Sequence, residues 1–395
     1  MIFERWRGRV IIDALGVVIG QQRGAERYFC NLICCLPPES LKSCLVLVNR
    51  ISADYFRTRL GNQSVVQMPV RGTNRLTRLL FQALVMPLLV LLGRAKVYVS
   101  TSLFPMHLIS CRRLCVILDL LLLHLPETYH VPDRLFRTLL LHLSAKSAHG
   151  IITISQTSAE DIRKSLIISR ETPIYVIHNA ANGFTCFPRE PEARALVERL
   201  GLTASGYVLS VLGGMAYKNA HRLIEGFDVL VKQTGVKLDL VIVGDACQRL
   251  KSESVPAFVK VLGLVTDASL VALYRQAALF AFPSLFEGFG IPVIEAQTFG
   301  APVVCSNLDV LREVAGPGGA LFFDPLSVES ICDALHEGLS NDVLRSELRA
   351  AGRANVRRFS WAESARLFLA ACQCDGRQDP GGDRVGITPG GSVST

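Results

Sequence analysis

Apolar residues along this chain gather in short unbroken runs, and the stretches between the runs have helical period. In the front half the runs are residues 10–15, 44–48, 97–100, 115–118 and 151–154. Runs of this length with little alternation read as strands covered on both faces. Between the first two, Phe29, Leu32, Ile33 and Leu36 lie on one helical face, which Pro37-Pro38 ends. In the back half the runs are residues 207–212, 238–243, 279–282, 302–305 and 320–323. Leu223, Ile224, Phe227 and Leu230 mark a helix between the first two of these, with Asn219 as its N-cap. Strands alternating with helices predict parallel sheets. The polar stretch 181–205, with two prolines, reads as a linker. The expectation is an α/β chain of two doubly wound, Rossmann-like domains in tandem, residues 1–185 and 203–358. Residues 373–395, rich in Gly, Pro, Asp and Ser, read as a disordered tail.

A length of 395 residues suits two domains, each able to bury its own core. Charge is uneven: residues 1–150 hold 19 Lys and Arg against 8 Asp and Glu, a balance of +11. The remainder holds 23 against 26, a balance of −3. A basic front half points to an anionic partner there: nucleic acid, a lipid surface or a phosphorylated acceptor. Neither a helix-turn-helix cue nor an aromatic stacking motif supports nucleic acid. The 12 cysteines lack metal-ligand spacing, and Cys44, Cys115 and Cys305 sit in apolar runs as small hydrophobes, as suits a reducing cytosol. Arg5, Arg7 and Arg9 precede an apolar run, but Asp13 interrupts it, so the segment reads as a first strand rather than a signal peptide. The longest apolar stretch, residues 79–93, contains Gln82 and Pro87. It falls short of the roughly 20 residues that span a bilayer and reads as a buried or interfacial helix.

The most informative loop follows the run 279–282. It reads Pro283-Ser284-Leu285-Phe286-Glu287-Gly288-Phe289-Gly290-Ile291-Pro292 and continues Val293-Ile294-Glu295-Ala296. Pro292 suits the start of a helix, and the glycines leave room for a ligand against the backbone. A helix start offers free N–H groups and partial positive charge to a phosphate. Glu287 and Glu295 flank that start. They either complement the helix dipole as solvated charges or grip vicinal hydroxyls on both sides of a phosphate, as a nucleotide sugar would present them.

The segment E-G-F-G-x-P-x-x-E-A resembles the E-x7-E signature of a large family of retaining glycosyltransferases, family 4 or the group 1 glycosyl transferases, which includes bacterial mannosyl- and rhamnosyltransferases. The likeness runs from about residue 9 to 372, in order. It takes in Ser210-Val211-Leu212-Gly213-Gly214, Tyr217-Lys218-Asn219, Leu240 to Gly244, Leu262-Gly263-x-Val265, Leu273-Tyr274-x-x-Ala277, Gly300-x-Pro302-Val303-Val304-x-Ser306, Glu313-Val314-Ala315-Gly316 and Asp324-Pro325.

The resemblance implies a GT-B fold with the two domains facing a central cleft, the nucleotide on the second, and a helix at 359–372 crossing back to the first. It implies that Glu287 contacts the transferred sugar and that Gly288, Phe289 and Gly290 line sugar and diphosphate with their backbone. Glu295 would hold the ribose hydroxyls, and Lys218 the diphosphate as the leaving group gains charge. Gly213 and Gly214 fall where the family often carries an arginine, as they do in some members. Gly24, with Gly20, is similar to the family's glycine loop after the first strand. Asp119 is kept from a His-Asp-Leu segment whose His is Leu118 here; His124 and His107 are candidate replacements.

No D-x-D motif occurs, so no metal or other cofactor is expected. The expected partners are a nucleotide sugar, GDP-linked before UDP-linked, and a lipid-linked saccharide acceptor of O-antigen or capsule type. The sugar expected is mannose or rhamnose. Arg71, Arg75 and Arg78, ahead of the apolar stretch, suit an anionic membrane surface on the cytoplasmic side. The competing functions are a catalytically silent donor-binding relative that acts as a scaffold and a non-hydrolysing sugar-nucleotide epimerase.

Overall fold

The structure is a computed structural model that describes residues 6–20, 24–181, 189–245 and 255–373. The expected disordered tail beyond residue 373, Cys374 included, lies outside these residues, as do 182–188 of the expected linker. The chain divides into two compact units. One comprises Met1–Asn179 with Ser360–Thr395, the other Ala180–Phe359.

The first unit holds a seven-stranded parallel sheet of order β3-β2-β1-β4-β5-β6-β7. Its strands are β1 (Val10–Ala14), β2 (Cys44–Val48), β3 (Val65–Gln67), β4 (Val97–Ser100), β5 (Arg112–Val116), β6 (Gly150–Thr153) and β7 (Ile174–Val176). The second holds six parallel strands of order β10-β9-β8-β11-β12-β13. These are β8 (Tyr207–Val211), β9 (Asp239–Val243), β10 (Val259–Gly263), β11 (Leu279–Phe282), β12 (Val303–Ser306) and β13 (Leu321–Phe323). Ten of these strands lie at the apolar runs, because a strand with helices on both faces has no solvent side to alternate toward. β3, β7 and β10 were not foreseen. All three are at sheet edges, and their side chains are only partly covered. β5 begins at Arg112 rather than 115, since two arginines open the strand and hide it from an apolar count. It stops at Val116, short of Leu118.

The expected linker is not one. Glu190–Arg199 is a helix that packs against the helix Asp267–Gln276 through Ala193 and Val197, both fully buried. Five charged neighbours dilute that i, i+4 pair in sequence. The backbone N–H of Arg189 donates to Glu192 at 2.8 Å, which closes the first turn. At the other end, the helix Trp361–Gln373 belongs to the first unit. Trp361 packs on Tyr28, Ser364 Oγ donates to the His178 carbonyl, and Arg112 donates to the carbonyls of Ala371 and Cys372.

Beneath β1 lies a polar knot. Asp13 is fully buried and accepts from Tyr98 Oη, from Gln82 Nε2 at 2.6 Å and from the Leu15 N–H at 3.0 Å. Burial pushes its carboxyl above the usual range, against the pull of those donors and of Arg78. Gln82 comes from a 19-residue helix, Arg75–Gly93. One turn of this helix, Phe81–Val85, is of π type. Pro87, two residues past that turn, cannot supply the N–H of an ordinary turn. Among the described residues nine cysteines are free thiols; burial pushes Cys44 and Cys111 up to about 11, so they act as apolar fillers.

Candidate functional site

In the second sheet the strand order reverses beside β8: β9 and β10 run out one way, β11 to β13 the other. Loops leaving the carboxyl ends of β8 and β11 therefore diverge, and open α/β sheets take their ligands in that crevice. The turn after β8 carries Lys218, and the loop after β11 carries Glu287. Their side chains meet at 2.5 Å, Nζ to Oε1, with 18% and 11% of their surfaces exposed. The ammonium also lies over the rings of Tyr217 (5.1 Å) and Phe282 (5.6 Å). A Cβ at Gly213 would stand 3.8 Å from Lys218 Cε, an ordinary contact, so packing does not require glycine there.

The two loops are braced to each other. The Leu285 N–H donates to the Tyr217 carbonyl at 2.8 Å. Asn219 donates from Nδ2 to the carbonyls of Pro283 and Pro325 and accepts from Arg222. Asn219 does occupy the N-cap position of the helix Ala220–Thr234, but its side chain makes no cap bond. Its backbone is left-handed, a conformation asparagine tolerates, and this turns the amide toward the neighbouring loops. Ser284, fully buried beside this brace, has a hydroxyl without a hydrogen-bond partner.

Past Glu287 the chain turns at Gly290 into the helix Ile291–Phe299, with Pro292 in its first turn. Gly290 has φ +93°, and a Cβ would come within 2.6 Å of Leu311, so glycine is required there. Phe289 is buried edge-on against Phe359 at 5.5 Å. Its ring anchors the loop and leaves its backbone to the crevice. Glu295 lies inside the helix, 3% exposed, and its Oε2 accepts from Tyr274 Oη at 3.1 Å. Tyr274 was missed as a partner, although the Leu273-Tyr274-x-x-Ala277 segment contained it.

The other expected residues, Gly24 and Asp119, belong to the first unit. Gly24 opens the helix Gly24–Cys34, and a Cβ there would touch nothing, so no tight turn demands it. Gly20 is the residue with φ +94°; its N–H donates to Glu26 Oε1 at 2.8 Å. Asp119 Oδ1 accepts from the N–H of Leu121, the first residue of the short helix Leu121–His124, at 3.0 Å. Leu118 is half-buried, and its carbonyl accepts from Thr153. His124 is bound to Asp161 at 2.7 Å, and His107 is exposed.

Comparison with known proteins agrees with this arrangement. The complex of Anabaena Alr3699/HepE with UDP and glucose superposes with a TM-score of 0.67 at 16% identity, covering 92% of this chain and 99% of that one. The fold is that of the GT-B glycosyltransferases. Residues 196–355, within the second unit, match the family model described as glycosyl transferases group 1. The chain is 32% identical over 252 residues to the O-antigen chain mannosyltransferase B of Escherichia coli, covering 62% of this chain and 65% of that protein. It is 27% identical over 281 residues to the serotype-specific mannosyltransferase WbdA of Escherichia coli, covering 67% of this chain and 34% of that protein. The aligned part thus spans about two thirds of the first relative's length and one third of the second's.

Proposed function

We propose that this chain is a retaining hexosyltransferase. It moves mannose, or rhamnose in its place, from a nucleoside diphosphate sugar to a lipid-linked saccharide of O-antigen or capsule type. GDP is favoured over UDP, and the enzyme works at the cytoplasmic face of the membrane. One observation carries the reading: a lysine and a glutamate face each other where the second sheet's strand order reverses, beside a helix start. The likeness to the O-antigen chain mannosyltransferase B supports the choice of sugar and pathway class.

In this reading each group has a separate task. Lys218 balances the charge that grows on the departing diphosphate. Glu287 accepts hydrogen bonds from hydroxyls of the transferred sugar. Glu295, oriented by Tyr274, takes the ribose hydroxyls. The sugar passes through an oxocarbenium-like transition state. The acceptor oxygen bonds to C1 on the face the diphosphate leaves, and its proton goes to the leaving phosphate. That step needs no protein base, which accommodates Leu118 in place of histidine.

The same leucine favours a second reading, a donor-binding relative without turnover, since Asp119 is already engaged by the Leu121 N–H. Thermal unfolding with GDP-, UDP- and dTDP-sugars tests both. A ligand at about 100 times its Kd stabilises by roughly 2.7 kcal/mol, so the true donor raises Tm by several degrees. Glu295→Ala abolishes that shift. If no nucleotide sugar moves the wild-type Tm, the donor site is misassigned. A shift without transfer to any acceptor selects the silent relative, and acceptor-independent release of free nucleotide selects an epimerase.

A further inference from the structure

We propose that Asn219 is the positioning residue for Lys218: its amide fastens the turn after β8 to the loops after β11 and β13, and so sets how well the ammonium meets a diphosphate. This rests on the donor-site reading above and adds to it a residue that touches no ligand.

Three bonds join the turn after β8 to the loop after β11. The Tyr217 carbonyl accepts from the Leu285 N–H at 2.8 Å, Lys218 Nζ meets Glu287 Oε1 at 2.5 Å, and Asn219 Nδ2 donates to the Pro283 carbonyl at 3.0 Å. The lysine bond joins two charged groups, and a bound diphosphate competes for it. The other two involve no charge and hold the turn when the ligand takes the ammonium. Of these two, the backbone bond can be made by any residue except proline at the donor. The amide bond needs the side chain of Asn219.

The second N–H of the amide donates to the Pro325 carbonyl at 2.8 Å. Pro325 follows β13, two strands beyond β11 in the sheet. Its turn is closed by bonds of its own: the Leu326 N–H donates to Asp324 Oδ1 and the Asp324 N–H to Ser330 Oγ, each at 2.9 Å. The amide thus ties the lysine turn to a turn that is already fixed. Its oxygen accepts from Arg222 Nη1 at 3.0 Å, from the first turn of the helix Ala220–Thr234. That bond selects the amide's orientation. Rotated by half a turn, its oxygen would face two carbonyls and its N–H groups a guanidinium.

Few residue types meet these demands together. The position has φ +61°, which asparagine, aspartate and glycine adopt more readily than other residues. It is 4% exposed, so its partners would find no water in place of a lost bond. It also requires two N–H donors and one acceptor on a short side chain. Glycine meets only the backbone demand. Aspartate keeps the shape and would pair with Arg222, but it turns a carboxylate oxygen toward two carbonyls. The consequence falls on the next residue back in the chain. A lysine side chain is long and flexible, so the placement of its Cα decides where its charge can reach. Misplacing such a group by about 1 Å can cost on the order of 100-fold in rate.

The test is isothermal titration of the full chain with GDP against GMP and with UDP against UMP. Wild type, Asn219→Gly, Asn219→Asp and Lys218→Met are compared, with each Asn219 substitution also made in the Lys218→Met background. Both Asn219 variants weaken diphosphate binding roughly tenfold and monophosphate binding by less than about twofold, since the ribose is held by Glu295. In the Lys218→Met background the Asn219 substitutions no longer change diphosphate affinity, which is the coupling a double-mutant cycle reads. If Asn219→Gly unfolds below the assay temperature, Asn219→Asp, which keeps the volume and the Arg222 contact, carries the comparison. Equal loss of mono- and diphosphate binding, or the same loss with and without Lys218, overturns the positioning role and leaves the donor site standing. A wild type that binds neither diphosphate overturns the donor-site reading and this proposal together.

Discussion

Glu287→Gln separates the two tasks assigned to the crevice of the second unit. In the unliganded chain the Lys218 ammonium is already engaged at 2.5 Å by Glu287. A diphosphate that needs this ammonium must compete with the carboxylate, and its own charge is repelled by it. The pair is neither fully exposed nor fully buried, at 18% and 11%. Exposed pairs are worth about 0–1 kcal/mol, and breaking a buried one costs about 3–5. A competition of about 1–2 kcal/mol lies between those limits and corresponds to a factor of roughly 5–30 in affinity. Glutamine keeps the shape and removes the charge, so Glu287→Gln binds free GDP or UDP roughly 5–30 times more tightly. Transfer falls instead, by roughly 100- to 1000-fold, because an interaction realised at the reacting sugar is lost. Isothermal titration with nucleoside diphosphate and a radiolabelled transfer assay read the two effects. Lys218→Met is the control and weakens nucleotide binding. Unchanged or weaker nucleotide binding by Glu287→Gln would show that the pair does not compete with the ligand, and the division of roles would be wrong.

Asp13 sets a pH dependence in the first unit. Its carboxyl is held above the ordinary value, so the folded chain keeps this proton more tightly than the unfolded chain does. The stabilisation is complete below the unfolded value, near pH 4, and is lost as pH rises through the raised folded value. Asp13→Asn removes this titration, so the stability of wild type relative to Asp13→Asn declines over that window; parallel urea-unfolding curves from about pH 4 to 7 would contradict it. Transfer is expected to survive EDTA, with Lys218 in the charge-balancing role that a metal has elsewhere. Activity that returns only when Mn²⁺ or Mg²⁺ is added back would count against this.

Nine central strands and the edge strand β13 were legible as apolar runs, since burial on both faces leaves no alternation to misread, and the strand ends differ by at most three residues. The other three edge strands, β3, β7 and β10, were not, because an edge is half solvated and its residues need not be apolar. The helix Glu190–Arg199 was hidden for a related reason: two buried positions, Ala193 and Val197, suffice to dock it, and the rest of its surface is charged. The helix Arg75–Gly93 was read as buried or interfacial, without telling which of its faces is which. A stretch apolar all round looks like core, and composition is blind to which row of leucines the neighbouring elements leave uncovered.

At the site, the motif located Lys218, Glu287 and Glu295, but it could not show that the first two pair across 69 residues of sequence. That pairing follows from β8 and β11 being neighbours in the sheet, a consequence of topology. Asn219 makes the point more sharply. Its identity suggested a cap, yet the helix accepts a left-handed residue there and the amide bridges three loops instead. These loops of the second unit are thus held by bonds between residues that the sequence places far apart. In the first unit, Asp119 and His124 are engaged by their own surroundings, and Leu118 offers no polar atom beyond its backbone. On the proposed chemistry the leaving phosphate takes the acceptor's proton. The decisive measurement is therefore the pH–rate profile of transfer, which on this mechanism shows no protein base titrating near pH 6–7.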